Sequence, residues 1–245
     1  MEHVLQLYQE EHCLLDALAA FVAAGLRENE GVLIVGSTPR WELLLDRLRK
    51  QRIAAASHMA RGQLRLLGAH VVLSTCATRG AVDRGKFNEL VGGALQLMRR
   101  EYESVRIFSE LTDALWREGD RANARLIERF WQPLAGAHSA DLMCGCSIDS
   151  LEGQAYNGGS LQALCAAHTH VRPAFDEAAF EQAVSGAVDE VLDAQLVRML
   201  LTLSSAHRPP VQMPPGQAVL FWLKDHMPRT AERVMSRARA RWSEH

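Results

Sequence analysis

Gly31-Val-Leu-Ile-Val-Gly-Ser-Thr-Pro-Arg-Trp41 decides how this chain is read. Four apolar β-formers, Val32–Val35, are followed by a glycine turn and then by helical spacing from Trp41 to Leu48. A wholly apolar run bounded by glycines reads as a strand buried on both faces, as in a parallel sheet. A strand, a tight turn and a helix in that order is where nucleotide-binding α/β proteins keep their phosphate loop. The chemistry of that loop is missing. A P-loop needs G-x-x-x-x-G-K-[ST], with glycine amides and a lysine facing the phosphates. Here the turn offers Gly36, Ser37, Thr38 and Pro39, and no lysine follows. Pro39 also removes one amide from the helix start, where an anion would be held. The stretch therefore predicts the scaffold of a nucleotide binder with a degenerate P-loop, suited to sensing rather than phosphoryl transfer.

Outward from this unit, strands and helices alternate. Helical spacing is predicted from Tyr8 to Leu26, with Gly25 as a C-cap, from Phe87 to Met98, and from an Asp120 cap through Trp131 to an end near Pro133. Strands are predicted at Leu64–Leu67, Val105–Phe108 and Leu142–Cys146, while residues 71–75 read equally as strand or helix start. Such alternation predicts βαβ units and a mainly parallel sheet flanked by helices. Past residue 173 strand signals stop. A long helix is expected over Glu177–Leu203, an extended connector over His207–Pro215, which holds half of the eight prolines, and two short helices around Gln217–Lys224 and Arg229–Trp242. The expected domains are an α/β unit over 1–173 and an all-helical C-terminal extension over 174–245.

Bulk properties narrow the function. A net charge of -2 gives no general attraction to nucleic acid or anionic membrane. No apolar run approaches the roughly 18 residues of a membrane span, and Met1–Gln6 lacks a basic or apolar leader. Five cysteines without a disulfide rhythm point to a reduced, cytoplasmic setting. No helix-turn-helix pair is evident, so direct DNA binding is not expected. No cofactor is required by the sequence.

Several landmarks together resemble the MEDS family, the sensory domain named after methanogen and methylotroph regulators of the dichloromethane-dehalogenase type. His3 and Tyr8 form an opening H-x4-Y, and Gly25-Leu26 ends the first helix. Gly62–Ala69 is similar to the family's G-x-L-x-x-x-D-A, and Val105–Glu110 to its V-R-x-F-G-E. Trp116 with Gly119, then Leu126, Glu128 and Trp131, resemble L-W-x-x-G and L-E-x-x-W; Leu142–Cys146 and Cys165–Pro173 resemble L-C-x-Y and C-x-x-H-S-x-V-x-P. The likeness spans residues 1–173. It implies a RecA/KaiC-like fold without a working P-loop and a role in sensing small molecules for signalling. Departures fall at Gly68, Ser109 and Cys146, where the family favours Asp, Gly and an aromatic.

Candidate site residues follow from the strand ends, because ligands of open α/β sheets sit beyond the carboxyl ends of the strands. Ser37, Thr38, Glu110, Trp116, Cys144, Cys146 and His168 are the expected ligand-binding set. Glu110 could act as a base or a Mg²⁺ anchor, could orient a ligand, or could be a buried carboxylate bonded to a helix start or an arginine. Cys144, Cys146, Cys165 and His168 could hold zinc or copper or sense redox state, or simply pack, since no C-x2-C pair is present. Trp41, Trp116, Trp131 and Phe108 could line an apolar pocket or form core. The tail helix carries an apolar stripe of Ala231, Val234, Met235, Ala238 and Trp242 among arginines, fit for a partner or for its own domain. The expected function is a non-enzymatic module that binds a small-molecule ligand and signals to a separate kinase or transcription regulator. Alternatives are an atypical nucleotide-binding protein or enzyme, a metal or redox sensor, and a ligand-free dimeric adaptor. A homodimer is expected from the apolar face Val184, Val188, Val191, Leu192, Leu196 and Leu200, which needs a cover.

Overall fold

The computed structural model describes residues 2–173, 176–193, 195–198, 200, 202 and 211–242. They form two compact units: Met1–Val4 with Glu10–Ser147, and Leu5–Gln9 with Ile148–His245. The main sheet has six strands in the order β3-β2-β6-β7-β1-β8, where β1 is His3–Leu7, β2 Gly31–Gly36, β3 Leu64–Gly68, β6 Val105–Ser109, β7 Ala140–Cys146 and β8 His170–Arg172. β4 (Ala77–Thr78) and β5 (Ala81–Val82) form a separate antiparallel hairpin. Its turn, Arg79-Gly80, has φ of 51° and 82°. That left-handed pair matches the twist of a two-residue hairpin.

In the first unit β3, β2, β6 and β7 are parallel, with Leu33 level with Arg65 on one side and Ile107 on the other, and Ile107 level with Leu142. Val32, Leu33, Ile34 and Val35 are all fully buried, which is why this run carries no polar residue. α1 (Glu11–Arg27) turns Leu14, Leu15, Leu18, Val22 and Leu26 inward at helical spacing. α2 (Thr38–Lys50) starts from an extended Ser37, and Pro39 lies in its first turn, where its missing N–H is tolerated. α3 (Ala55–Ala60) leads into β3.

Residues 71–75 are helical, inside α4 (Ala69–Cys76). The helical stretch from α5 (Arg84–Phe87) to α6 (Gly93–Met98) passes through a π turn at Asn88–Gly92, just before and at the Gly92-Gly93 pair. α7 (Leu111–Arg117) follows β6 directly. α8 (Arg121–Ala137) is capped as expected, Asp120 accepting from the Asn123 amide at 3.0 Å. It does not end near Pro133. The helix continues to Ala137 because Leu134 and Ala135 are buried and hold the last turn to the core. Phe87 packs edge-on against Trp131 at 5.0 Å and beside Phe130 at 5.8 Å.

Two strands of the main sheet lie outside the expected set, as do both strands of the hairpin. β1 lies just ahead of the expected helix, which begins at Glu11 rather than Tyr8. All five residues of β1 are buried, two of them polar, so neither alternation nor an apolar run announces it. β8 is only three residues long.

The second unit contains the later part of β1, β8, α9 (Ser160–Ala166), α10 (Glu177–Val191), α11 (Pro215–His226) and α12 (Pro228–Trp242). α10 stops at Val191, twelve residues short of the expected Leu203, and Leu192 is extended at φ -115°, ψ 152°. Asp193 then accepts from the amides of Gln195 and Leu196 at 3.0 and 2.9 Å. A carboxylate satisfying two free amides caps a new helical turn instead of prolonging the old one. Leu203 and His207–Pro210 of the expected helix and connector lie outside the described residues; Val211–Pro214 is non-helical. α10 packs on α12, burying Val184 and Val188 against the stripe of Ala231, Val234, Met235 and Ala238. Of the apolar face expected to need a partner chain, Val184, Val188 and Leu200 are buried, while Val191, Leu192 and Leu196 are half-exposed. Trp242 lies 6.1 Å from Phe180. Arg237 and Arg241 pair with Glu190 at 3.1 and 3.3 Å, and Arg239 with Asp149. Three of the tail arginines thus answer acids of their own unit.

Candidate functional site

The turn after β2 and the end of β6 meet in the first unit. Glu110 follows β6 and is 2% exposed. Its carboxylate is paired with Arg40, from the first turn of α2, and accepts hydrogen bonds from the side chain and backbone of Ser37. Arg40 is itself buried and holds Glu11 of α1 in a two-point bond at 2.8 and 2.9 Å. The start of α2 is where the helix dipole and free amides would receive an anion. In this chain that place is taken by the chain's own carboxylate. Burial pushes the Glu110 carboxyl up, against the pull of Arg40 and Ser37.

Trp41 completes this edge. A Cβ built on Gly36 would lie 3.2 Å from its indole Nε1, and one built on Gly68 3.9 Å from its far ring carbon Cη2. The indole therefore spans the carboxyl ends of β2 and β3, and the absence of a side chain at Gly36 lets it approach that closely. Its Nε1 is buried and has no hydrogen-bond partner among the described residues. Thr38 is exposed on the first turn of α2. Trp116 is half-buried near the end of α7, with the Arg121 guanidinium 3.8 Å over its ring.

Phe108 and Trp131 are core, as the packing alternative had it. Cys144 and Cys146 are fully buried on β7. Burial, and then the Glu128 carboxylate, push the Cys144 thiol well up. Around Cys144 lies a second polar centre. Its Sγ is 3.4 Å from His3 Nε2 and 3.9 Å from Glu128 Oε2, and His3 Nε2 is 3.3 Å from that same oxygen. Cys165 and His168 belong to the second unit. Burial pushes the Cys165 thiol up to about 12. His168 donates from Nδ1 to the Leu164 carbonyl at 2.8 Å, bonding a carbonyl of the last turn of α9.

Sequence reasoning did not place Arg40, Glu11, His3 or Glu128 in a site. Arg40 stands three residues after Ser37, close to one helical turn, which was the available signal for its reach to Glu110. Glu128 was visible only as part of the L-E-x-x-W piece, and His3 only in the H-x4-Y piece and as one of several soft ligands scattered along the chain. Asp113 is a further buried carboxylate, accepting from the amide and hydroxyl of Ser147 at 2.8 and 2.6 Å.

Among known protein families, the model described as MEDS, MEthanogen/methylotroph, DcmR Sensory domain, matches residues 2–170. No curated protein matches the chain.

Proposed function

The chain belongs to the MEDS family of sensory domains, and on that premise we propose that it binds a small-molecule ligand at the carboxyl edge of β2 and β6 and passes the bound state to a separate signalling protein, a kinase or a transcription regulator. We read the scaffold as RecA/KaiC-like with a degenerate P-loop. The observation that carries the reading is the edge built by Trp41, Ser37 and Glu110. A buried indole N–H without an acceptor stands beside a buried ion pair. An unmet buried donor of this kind costs about 1–3 kcal/mol unless something accepts from it. A ligand with a hydrogen-bond acceptor and an apolar body meets that need, with Thr38 at its margin. Phosphate is disfavoured, because a second anion would face Glu110 across Arg40. Signalling then works by population shift, the ligand favouring one arrangement of the chain that the partner reads.

Mass spectrometry of small molecules released from natively purified protein tests this. A compound that also quenches Trp41 fluorescence, and does so no longer in Trp41→Phe, supports the edge site. Magnesium-dependent phosphate release from ATP that Glu110→Gln abolishes would replace the sensory reading with the enzymatic one.

A further inference from the structure

We propose that His3, Glu128 and Cys144 form a buried binding site for a divalent transition metal of the zinc class. The three residues come from the start of β1, the middle of α8 and the middle of β7, and all belong to the first unit. Their exposures are 4%, 2% and 0%. One imidazole nitrogen, one carboxylate oxygen and one sulfur converge with separations of 3.3, 3.4 and 3.9 Å. A tetrahedral zinc ion with bonds of about 2.0 Å to nitrogen, about 2.1 Å to oxygen and about 2.3 Å to sulfur sets its ligand atoms about 3.3–3.6 Å apart. Two of the three edges already lie in that range, and the third needs only a few tenths of an ångström.

Charge and support point the same way. A thiolate and a carboxylate together offset a divalent ion, so the loaded site is neutral in a place where net charge is expensive. The other oxygen of Glu128 accepts from the Thr112 hydroxyl at 2.5 Å. Such a bond to the outer oxygen is the support that ligating carboxylates characteristically receive. An ordinary His–Glu hydrogen bond would explain two of the three groups. It gives no reason for the sulfur to face both of them. Mixed nitrogen, oxygen and sulfur donors select zinc, or cobalt in its place, over magnesium and calcium. The site takes Cys144 from the cysteines singled out in the sequence and adds His3 and Glu128. It does not depend on the ligand edge proposed above.

The test uses untagged full-length protein, stripped with a chelator and titrated with cobalt(II), then with zinc(II) in competition with a chromophoric chelator. The expected result is one equivalent of cobalt bound, with a thiolate-to-cobalt charge-transfer band and the visible bands of tetrahedral coordination. Zinc should displace it. Cys144→Ser should remove the charge-transfer band, His3→Gln should weaken zinc binding at least tenfold, and Thr112→Val should weaken it about tenfold through Glu128. Cys13→Ser should change nothing, although Cys13 lies 3.4 Å from His12 at the surface. No cobalt bound at stoichiometric concentrations, or a thiolate band that vanishes in Cys13→Ser, overturns the proposal. If Cys144→Ser fails to fold by circular dichroism, the wild-type cobalt spectrum and the Cys13→Ser comparison still decide.

Discussion

Burial and charge oppose one another at Glu110, and burial wins. Desolvation raises its carboxyl by more than Arg40 and Ser37 lower it. A carboxyl raised in the folded state keeps its proton after the unfolded chain has lost it, so its contribution to stability falls as pH rises through that window. The stability of the wild type relative to Glu110→Gln should therefore grow as pH is lowered from 7 through the raised carboxyl range. Urea titrations at a series of pH values check the sign, and a difference that shrinks on acidification means that the ion pair dominates instead. The cysteines make a second case. Cys76, Cys144, Cys146 and Cys165 are buried and Cys13 is half-buried. Burial pushes up the thiols of Cys13, Cys76, Cys144 and Cys165 alike, which lowers the thiolate fraction that reacts, so access to solvent sets Cys13 apart. Intact-mass analysis after brief maleimide treatment at pH 8 should show one modified thiol, lost in Cys13→Ser. Two or more would revive the reading of a redox sensor.

Elements respond to burial more than to local propensity. Pro133 sits inside α8 and is exposed, so it takes away the bond its amide would give to the carbonyl four residues back while adding no packing. Interior proline costs up to about 3 kcal/mol against alanine. Pro133→Ala should raise unfolding stability by about 1–3 kcal/mol, read from the midpoint of a urea transition with unchanged slope. The same competition explains the two helix ends that the pattern misplaced. Proline alone argued for an end near residue 133, but the buried Leu134 and Ala135 carried α8 onward. Nothing in the periodicity of Glu177–Leu203 argued for a break, yet Asp193 supplies a cap that competes with helix continuation.

At the scale of the whole molecule, the homodimer rested on an apolar face that needed cover. Val184 and Val188 on that face are buried in the monomer, where α10 meets α12. Light scattering is expected to give a monomer across the micromolar range, because the half-exposed Val191, Leu192 and Leu196 alone make too small an interface. A concentration-dependent dimer would show that another surface drives association. The two units also share β1: His3–Val4 falls in one and Leu5–Leu7 in the other. A chain beginning at Glu10 should consequently lose the cooperative unfolding transition of the full-length protein, while retaining much of its helical circular dichroism signal.

The sequence determined what depends on near neighbours. Val32–Val35 specified a buried strand because four consecutive apolar β-formers have no other place to go, and Ser37-Thr38-Pro39 showed that the G-x-x-x-x-G-K-[ST] pattern is absent there. The Asp120 cap and the stripe of α12 were equally legible, since a cap and a helical face involve residues only three or four apart. Tertiary structure decided what depends on distant ones. Gln6 of β1 is buried with its amide 3.1 Å from the Leu7 carbonyl and 3.5 Å from that of Arg172, and no local pattern marks a strand whose polar residues are satisfied far along the chain. The pairing of Glu110 with Arg40 and the convergence of His3, Glu128 and Cys144 arise the same way. Their spacing along the chain carries no period, and only the order of the strands and the packing of α2 and α8 bring those side chains within reach of one another.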